Sequence, residues 1–109
     1  MTFRSESLRR YVSTLDCVHC GSSMVQVAHR NQGKSMGMKV SDGLVAALCC
    51  FEHARIDQGK ELERKERREL MDAYIVATYS QAFERGDCPP KLFDLWGREL
   101  SAAGLTGAA

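Results

Sequence analysis

Four of the five cysteines and all three histidines of this 109-residue chain fall between Cys17 and Asp57. That stretch opens with Cys17-Val18-His19-Cys20-Gly21. Two thiolates at this spacing converge on one tetrahedral metal ion, and the glycine lets the backbone turn sharply behind the second. Cys49 follows 29 residues after Cys20, a distance at which a second pair of ligands can close the site. The histidines bring a second chemistry. A neutral imidazole can take a proton from water near neutral pH. His53 and Asp57, four residues apart, share one helical face and can hold a divalent cation from one side. Such a cation neutralises the charge that builds on a phosphate under attack by water. His29 is therefore read as a general base, and His53 with Asp57 as ligands of a catalytic Mg²⁺ or Mn²⁺.

Ser5 is a plausible N-cap, and Leu8, Tyr11, Val12 and Leu15 follow at helical spacing, so the first helix should end near Asp16. Met24 to His29 alternates as a strand does. Residues 30–41 have neither period, and with Gly33 and Gly37 they read as a long loop carrying three positive charges. Asp42-Gly43 signals a turn, and Leu44 to Leu48 forms the second strand of a hairpin. A helix should start at Cys49 and run to Asp57, where Gln58-Gly59 breaks it. Lys60 to Glu69 holds five positive and four negative charges, the pattern of a solvated helical face. The long helix occupies residues 60–86, with Leu70, Ala73, Tyr74 and Ala77 as its apolar stripe and Met71, Ile75, Thr78, Ala82 and Phe83 widening it. Pro89-Pro90 begins a last helix, residues 89–103, interrupted by Gly97. That helix either closes the core or joins a second copy of the chain, which makes a homodimer through the C-terminal helices an open expectation.

Length allows one domain, residues 1–109, with a core at residues 8–57. So short a chain buries a limited core and would gain from a metal clip or an oligomer contact. The net charge of +1 selects no partner. Residues 1–40, however, carry six Lys/Arg against two acids, and residues 41–109 carry nine against twelve. The basic half would face an anion. An odd cysteine count without a secretory leader argues against a disulfide framework. With no apolar run long enough to span a bilayer, the expectation is a soluble cytoplasmic protein without a membrane partner.

Two strands and a helix, with one histidine at the first strand and another on the helix, match the layout of the ββα-metal, or HNH, nucleases. The expected fold is thus α+β: a ββα-metal finger with a zinc-knuckle-type cysteine pair, wrapped by N-terminal and C-terminal helices. The segment also resembles the small prophage-encoded nucleases of lambdoid phages, the YbcO-like group. The likeness rests on the cysteine pair, Ala28-His29, Gly37-Met38-Lys39 with Asp42, Cys49 separated from His53 by three residues, and Ile56-Asp57, and it covers about residues 8–85. The resemblance implies a metal-dependent endonuclease acting on DNA in phage recombination or DNA processing, with a structural Zn²⁺. It also gives Asp42 the role of the middle residue of the HNH motif, fixing the loop that positions His29.

One departure stands out. Where the group has Cys-x2-Cys-His, this chain reads Cys49-Cys50-Phe51-Glu52-His53. Zinc would then be held by Cys17, Cys20, Cys49 and an oxygen of Glu52, or by Cys50 as alternate, or not at all. A rival reading spends Cys17, Cys20, Cys49 and His53 on a Cys3His structural site, which leaves a non-catalytic nucleic-acid-binding or protein-interaction module. Arg30, Lys34, Lys39 and Arg55 are the candidate phosphate contacts in either case. His19 is expected to be exposed and inert, and Cys88 a free thiol.

Overall fold

The computed structural model describes residues 3–30, 41–58 and 62–105. In chain order it contains α1 (Glu6–Val12), β1 (Gln26–His29), β2 (Val45–Leu48), α2 (Cys50–Gln58), α3 (Arg64–Arg85) and α4 (Pro90–Ala102). This is a small α+β fold: four helices around a two-stranded antiparallel sheet. Among the described residues no helix is long and apolar enough to cross a membrane.

The hairpin is the centre of the packing. Gln26 pairs with Leu48 and His29 with Val45. All four residues of β2 are buried, so this strand is covered on both faces, which suits its unbroken apolar sequence Val-Ala-Ala-Leu. Its outer edge is satisfied as well. Thr78 Oγ1 on α3 accepts from Ala47 N–H at 3.1 Å, and Val18 N–H of the cysteine knuckle donates to Ala47 O at 3.1 Å. An edge closed by a helix and a loop offers no template for another strand.

Ser5 caps α1 as the sequence predicts, its hydroxyl accepting from Leu8 N–H at 3.1 Å. The helix ends at Val12 rather than near Asp16. Thr14 N–H turns back to Tyr11 O and Leu15 N–H to Val12 O, a tightened end that still buries Leu15. The long helix begins at Arg64, where Glu66 accepts from Glu63 N–H at 3.2 Å, and stops at Gly86 with φ +69°. Its buried stripe is Met71, Tyr74, Ile75, Thr78 and Ala82, while Phe83, expected inside, is 71% exposed.

α4 closes the core through Trp96 and Leu100, both fully buried. A buried leucine of this kind contributes about 1.5–3 kcal/mol. Gly97 does not interrupt the helix. It admits Tyr79, whose hydroxyl would lie 2.6 Å from a Cβ at that position and whose ring stacks on Phe93 at 4.4 Å. α4 also clamps the segment entering β2. Trp96 Nε1–H donates to Gly43 O at 3.1 Å, and Ser41 Oγ–H donates to Glu99 Oε1 at 2.6 Å.

Gly43 lies so close to α4 that an added Cβ would sit 2.5 Å from Glu99 Cβ and 2.8 Å from its Cγ. With its carbonyl tied to Trp96, the backbone has little room to retreat. Gly43→Ala should lower stability by about 1–3 kcal/mol, the usual range for overpacking. Urea unfolding checks it: a lower midpoint at an unchanged slope is expected, and an unmoved midpoint would show that α4 does not hold this segment.

Candidate metal centre and its flanking histidines

The knuckle folds as its sequence dictates. Gly21 adopts φ +80°, and its N–H returns to Cys17 O at 2.8 Å, while Cys17 N–H reaches Ser22 O at 2.8 Å. Since Val18 is hydrogen-bonded to β2 and Cys49 directly follows that strand, Cys17 and Cys20 come to Cys49. The three Sγ atoms lie within 4.8 Å of one another, and Cys20 and Cys49 are 3.8 Å apart. A tetrahedral ion with metal–sulfur bonds of about 2.3 Å would set its sulfurs about 3.8 Å apart, so the trio fits zinc. Burial alone would raise the Cys17 thiol. The backbone N–H groups of Cys20, Cys49 and His19 outweigh it and hold Cys17 below the ordinary thiol value, toward the thiolate a metal requires.

Among the described residues no fourth side chain joins the group. Glu52 stands one helical turn beyond Cys49 but is turned away. Its Oε2 accepts from Tyr74 O–H at 2.6 Å and from Arg55 Nη1–H at 2.8 Å, and it is only 4% exposed. Hydrogen bonds to a charged group contribute about 1.5–3 kcal/mol each, so rotating toward the sulfurs would forfeit a substantial sum. Cys50 is exposed and outside the trio. His19, expected to be inert, takes part in this network: its Nδ1 is 2.9 Å from the Tyr74 hydroxyl and its Nε2 is 3.8 Å from Glu52 Oε1. Burial, then the hydrogen bond and charge of Glu52, push the Tyr74 phenol well above its ordinary range. Tyr74 read as core from its spacing. A phenol on an apolar stripe needs a buried partner, and that requirement was the available hint.

His29 ends β1, and its Nε2 lies 2.8 Å from Asp42 Oδ1. Asp42 is fully buried and is surrounded by donors. Ser5 N–H reaches Oδ2 at 2.8 Å, Arg9 Nε approaches Oδ2 at 3.2 Å, and Arg4 Nη1 stands 3.6 Å from Oδ1. Burial would raise this carboxyl. The hydrogen bonds from His29 and Ser5 and the charges of Arg4 and Arg9 prevail, and its pKa lies below the ordinary carboxylate value.

His53 faces neither the sulfurs nor His29. Its Nδ1 is 2.7 Å from Gln26 Oε1, and its Nε2 is 3.2 Å from Asp57 Oδ2. With Gln26 accepting from Nδ1–H, Nε2 keeps its lone pair beside a carboxylate, an arrangement suited to two ligands of one divalent cation. Gln26 and His29 are three positions apart on β1, so their side chains leave opposite faces about 10 Å apart along the strand. The Asp42-bound and the Gln26-bound imidazoles thus belong to different faces of the hairpin.

Two of the predicted phosphate contacts meet acids of the chain. Arg30 is 3.0 Å from Asp72 with a side chain 16% exposed, and Arg55 binds the buried Glu52. Lys34 and Lys39 lie outside the described residues. Arg4 and Arg9 are the basic residues gathered at His29 and Asp42.

Because the Asp42 carboxyl is held below its ordinary value, near 4, it stabilises the fold above that pH. This contribution is lost as the pH falls through the folded-state value. Unfolding free energy measured from pH 7 to pH 2 should therefore drop below about pH 4. Asp42→Asn should be less stable at pH 7 and show a shallower acid slope, whereas an identical slope would remove Asp42 as the source.

Comparison with protein-family models, with curated proteins and with solved structures finds no match to this chain.

Proposed function

We propose that the protein is a metal-dependent endonuclease that hydrolyses phosphodiester bonds in DNA, on a ββα arrangement of β1, β2 and α2, in a phage recombination or DNA-processing setting. The observation that carries this reading is the 2.8 Å bond between His29 and Asp42 at the end of β1. A carboxylate on Nε2 fixes the tautomer with its proton there and leaves the lone pair on Nδ1. Nδ1 then takes a proton from a water molecule, and Asp42 stabilises the resulting imidazolium. The water oxygen attacks phosphorus, the bond from phosphorus to the leaving sugar oxygen breaks, that oxygen takes a proton from solvent, and the imidazolium returns its proton to solvent. A divalent cation held by His53 and Asp57 would supply charge neutralisation on the DNA backbone from the other face of the hairpin. Arg4 and Arg9 pair with Asp42 but keep their side chains 51% and 43% exposed, and would hold the substrate backbone without reading its bases.

A second reading is favoured by the two faces of the hairpin to which His29 and His53 belong. In that reading the three cysteines hold zinc, and the chain is a non-catalytic nucleic-acid-binding or protein-interaction module. It differs from the Cys3His version only in leaving His53 outside the metal.

Incubation of the protein with supercoiled plasmid and Mg²⁺ or Mn²⁺ separates the two. Wild-type protein should nick the plasmid, and His29→Ala should slow nicking by about 10²–10⁴-fold. Asp57→Asn should raise the metal concentration needed. Equal nicking by wild type and His29→Ala would remove His29 as base, and retained DNA binding without nicking would favour the module.

A further inference from the structure

The cysteine trio supplies three sulfurs, and among the described residues each nearby His, Cys or acid that could add a fourth donor is committed elsewhere or stands outside the group. Glu52 is held by Tyr74 and Arg55. His19 is bonded to Tyr74, and its ring meets the Tyr74 ring edge-on at 6.0 Å. His53 is held between Gln26 and Asp57. Cys50 begins α2, is exposed, and stands outside the trio. Cys17 is buried while Cys20 is exposed and Cys49 partly so, which puts the open side of the cluster toward solvent.

We propose that this centre binds a transition-metal ion through Cys17, Cys20 and Cys49 alone and takes its fourth ligand from outside the described chain, as an exchangeable neutral nitrogen or sulfur donor. Zinc sites with three protein ligands ordinarily carry water or substrate in the fourth position, whereas closed structural sites carry four. Charge selects the kind of donor. A divalent ion on three thiolates already bears a net negative charge, so a neutral donor completes the site without adding further charge to this half-open cluster. Softness points the same way, because thiolate-rich sites favour nitrogen and sulfur over oxygen donors. An imidazole or a thioether meets both conditions, and a phosphate or carboxylate meets neither.

Cobalt substitution tests this without reference to any nuclease activity, and it can be run on protein carrying His29→Ala. Full-length apoprotein titrated with Co²⁺ should bind one ion per chain and develop thiolate-to-cobalt absorption together with tetrahedral d–d bands. Imidazole added to the cobalt protein should shift the d–d bands saturably, and acetate at the same concentration should not. Cys50→Ser and Glu52→Gln should leave the cobalt spectrum unchanged, whereas replacing Cys49 by serine should weaken the thiolate band. Absence of a cobalt complex would overturn the proposal. So would a spectrum indifferent to imidazole, a thiolate band weakened by Cys50→Ser, or d–d bands altered by Glu52→Gln. The imidazole titration uses the unaltered metal site and so decides the matter even if a variant fails to fold.

Discussion

Asp42 is a carboxylate with no exposure to solvent, and a buried charge persists only where donors surround it. Its donors come from two parts of the chain: the N-terminal segment with α1, through the Ser5 amide, Arg4 and Arg9, and the end of β1, through the His29 imidazole. Its backbone N–H also reaches Phe3 O at 2.9 Å. The N-terminal segment, the first strand and the entry to the second strand are therefore fixed by one side chain. Removing a partner from such a buried charge costs about 3–5 kcal/mol, a large share of the stability of a domain this size. α4 completes the junction from the other side through Trp96 and Glu99.

β2 links that junction to the metal centre. Asp42 lies three residues before the strand and Cys49 directly after it, so the four buried residues Val45–Leu48 set the separation between the charged hub and the sulfurs. Ala47 is the fixed point along the strand, its outward N–H bonded to Thr78 and its outward carbonyl to the knuckle at Val18. α3 holds both ends of this arrangement, since Thr78 closes the edge of β2 while Tyr74, one turn earlier, restrains Glu52 and His19.

The elements themselves were largely legible. Ser5 before an apolar period, Asp42-Gly43 before an apolar run, Gly86 after a long amphipathic stretch and Pro90 at a helix start are local signals, and each acts within a few residues of its own position. Gly97 misled for a physical reason. A glycine within a helix reads as a weak point, but here its missing side chain makes room for Tyr79. Phe83 misled because helical spacing places it near the stripe, whereas burial depends on what lies opposite, and at that level of α3 its ring is left largely exposed.

Sequence alone determined that thiols at Cys17, Cys20 and Cys49 had the spacing to share a metal, that His29 would end a strand and that Asp42 would enter a turn. Those properties follow from residue type and short-range geometry. Only the tertiary structure decided the partners. Glu52 and His53 are both within one turn of Cys49, so spacing made each an eligible ligand. Tyr74 on α3 and Gln26 on β1 reach them across 22 and 27 residues of chain and draw them away from the sulfurs. Competition among hydrogen-bond partners that distant has no periodicity to read, because it depends on where the helix and the strand finally pack.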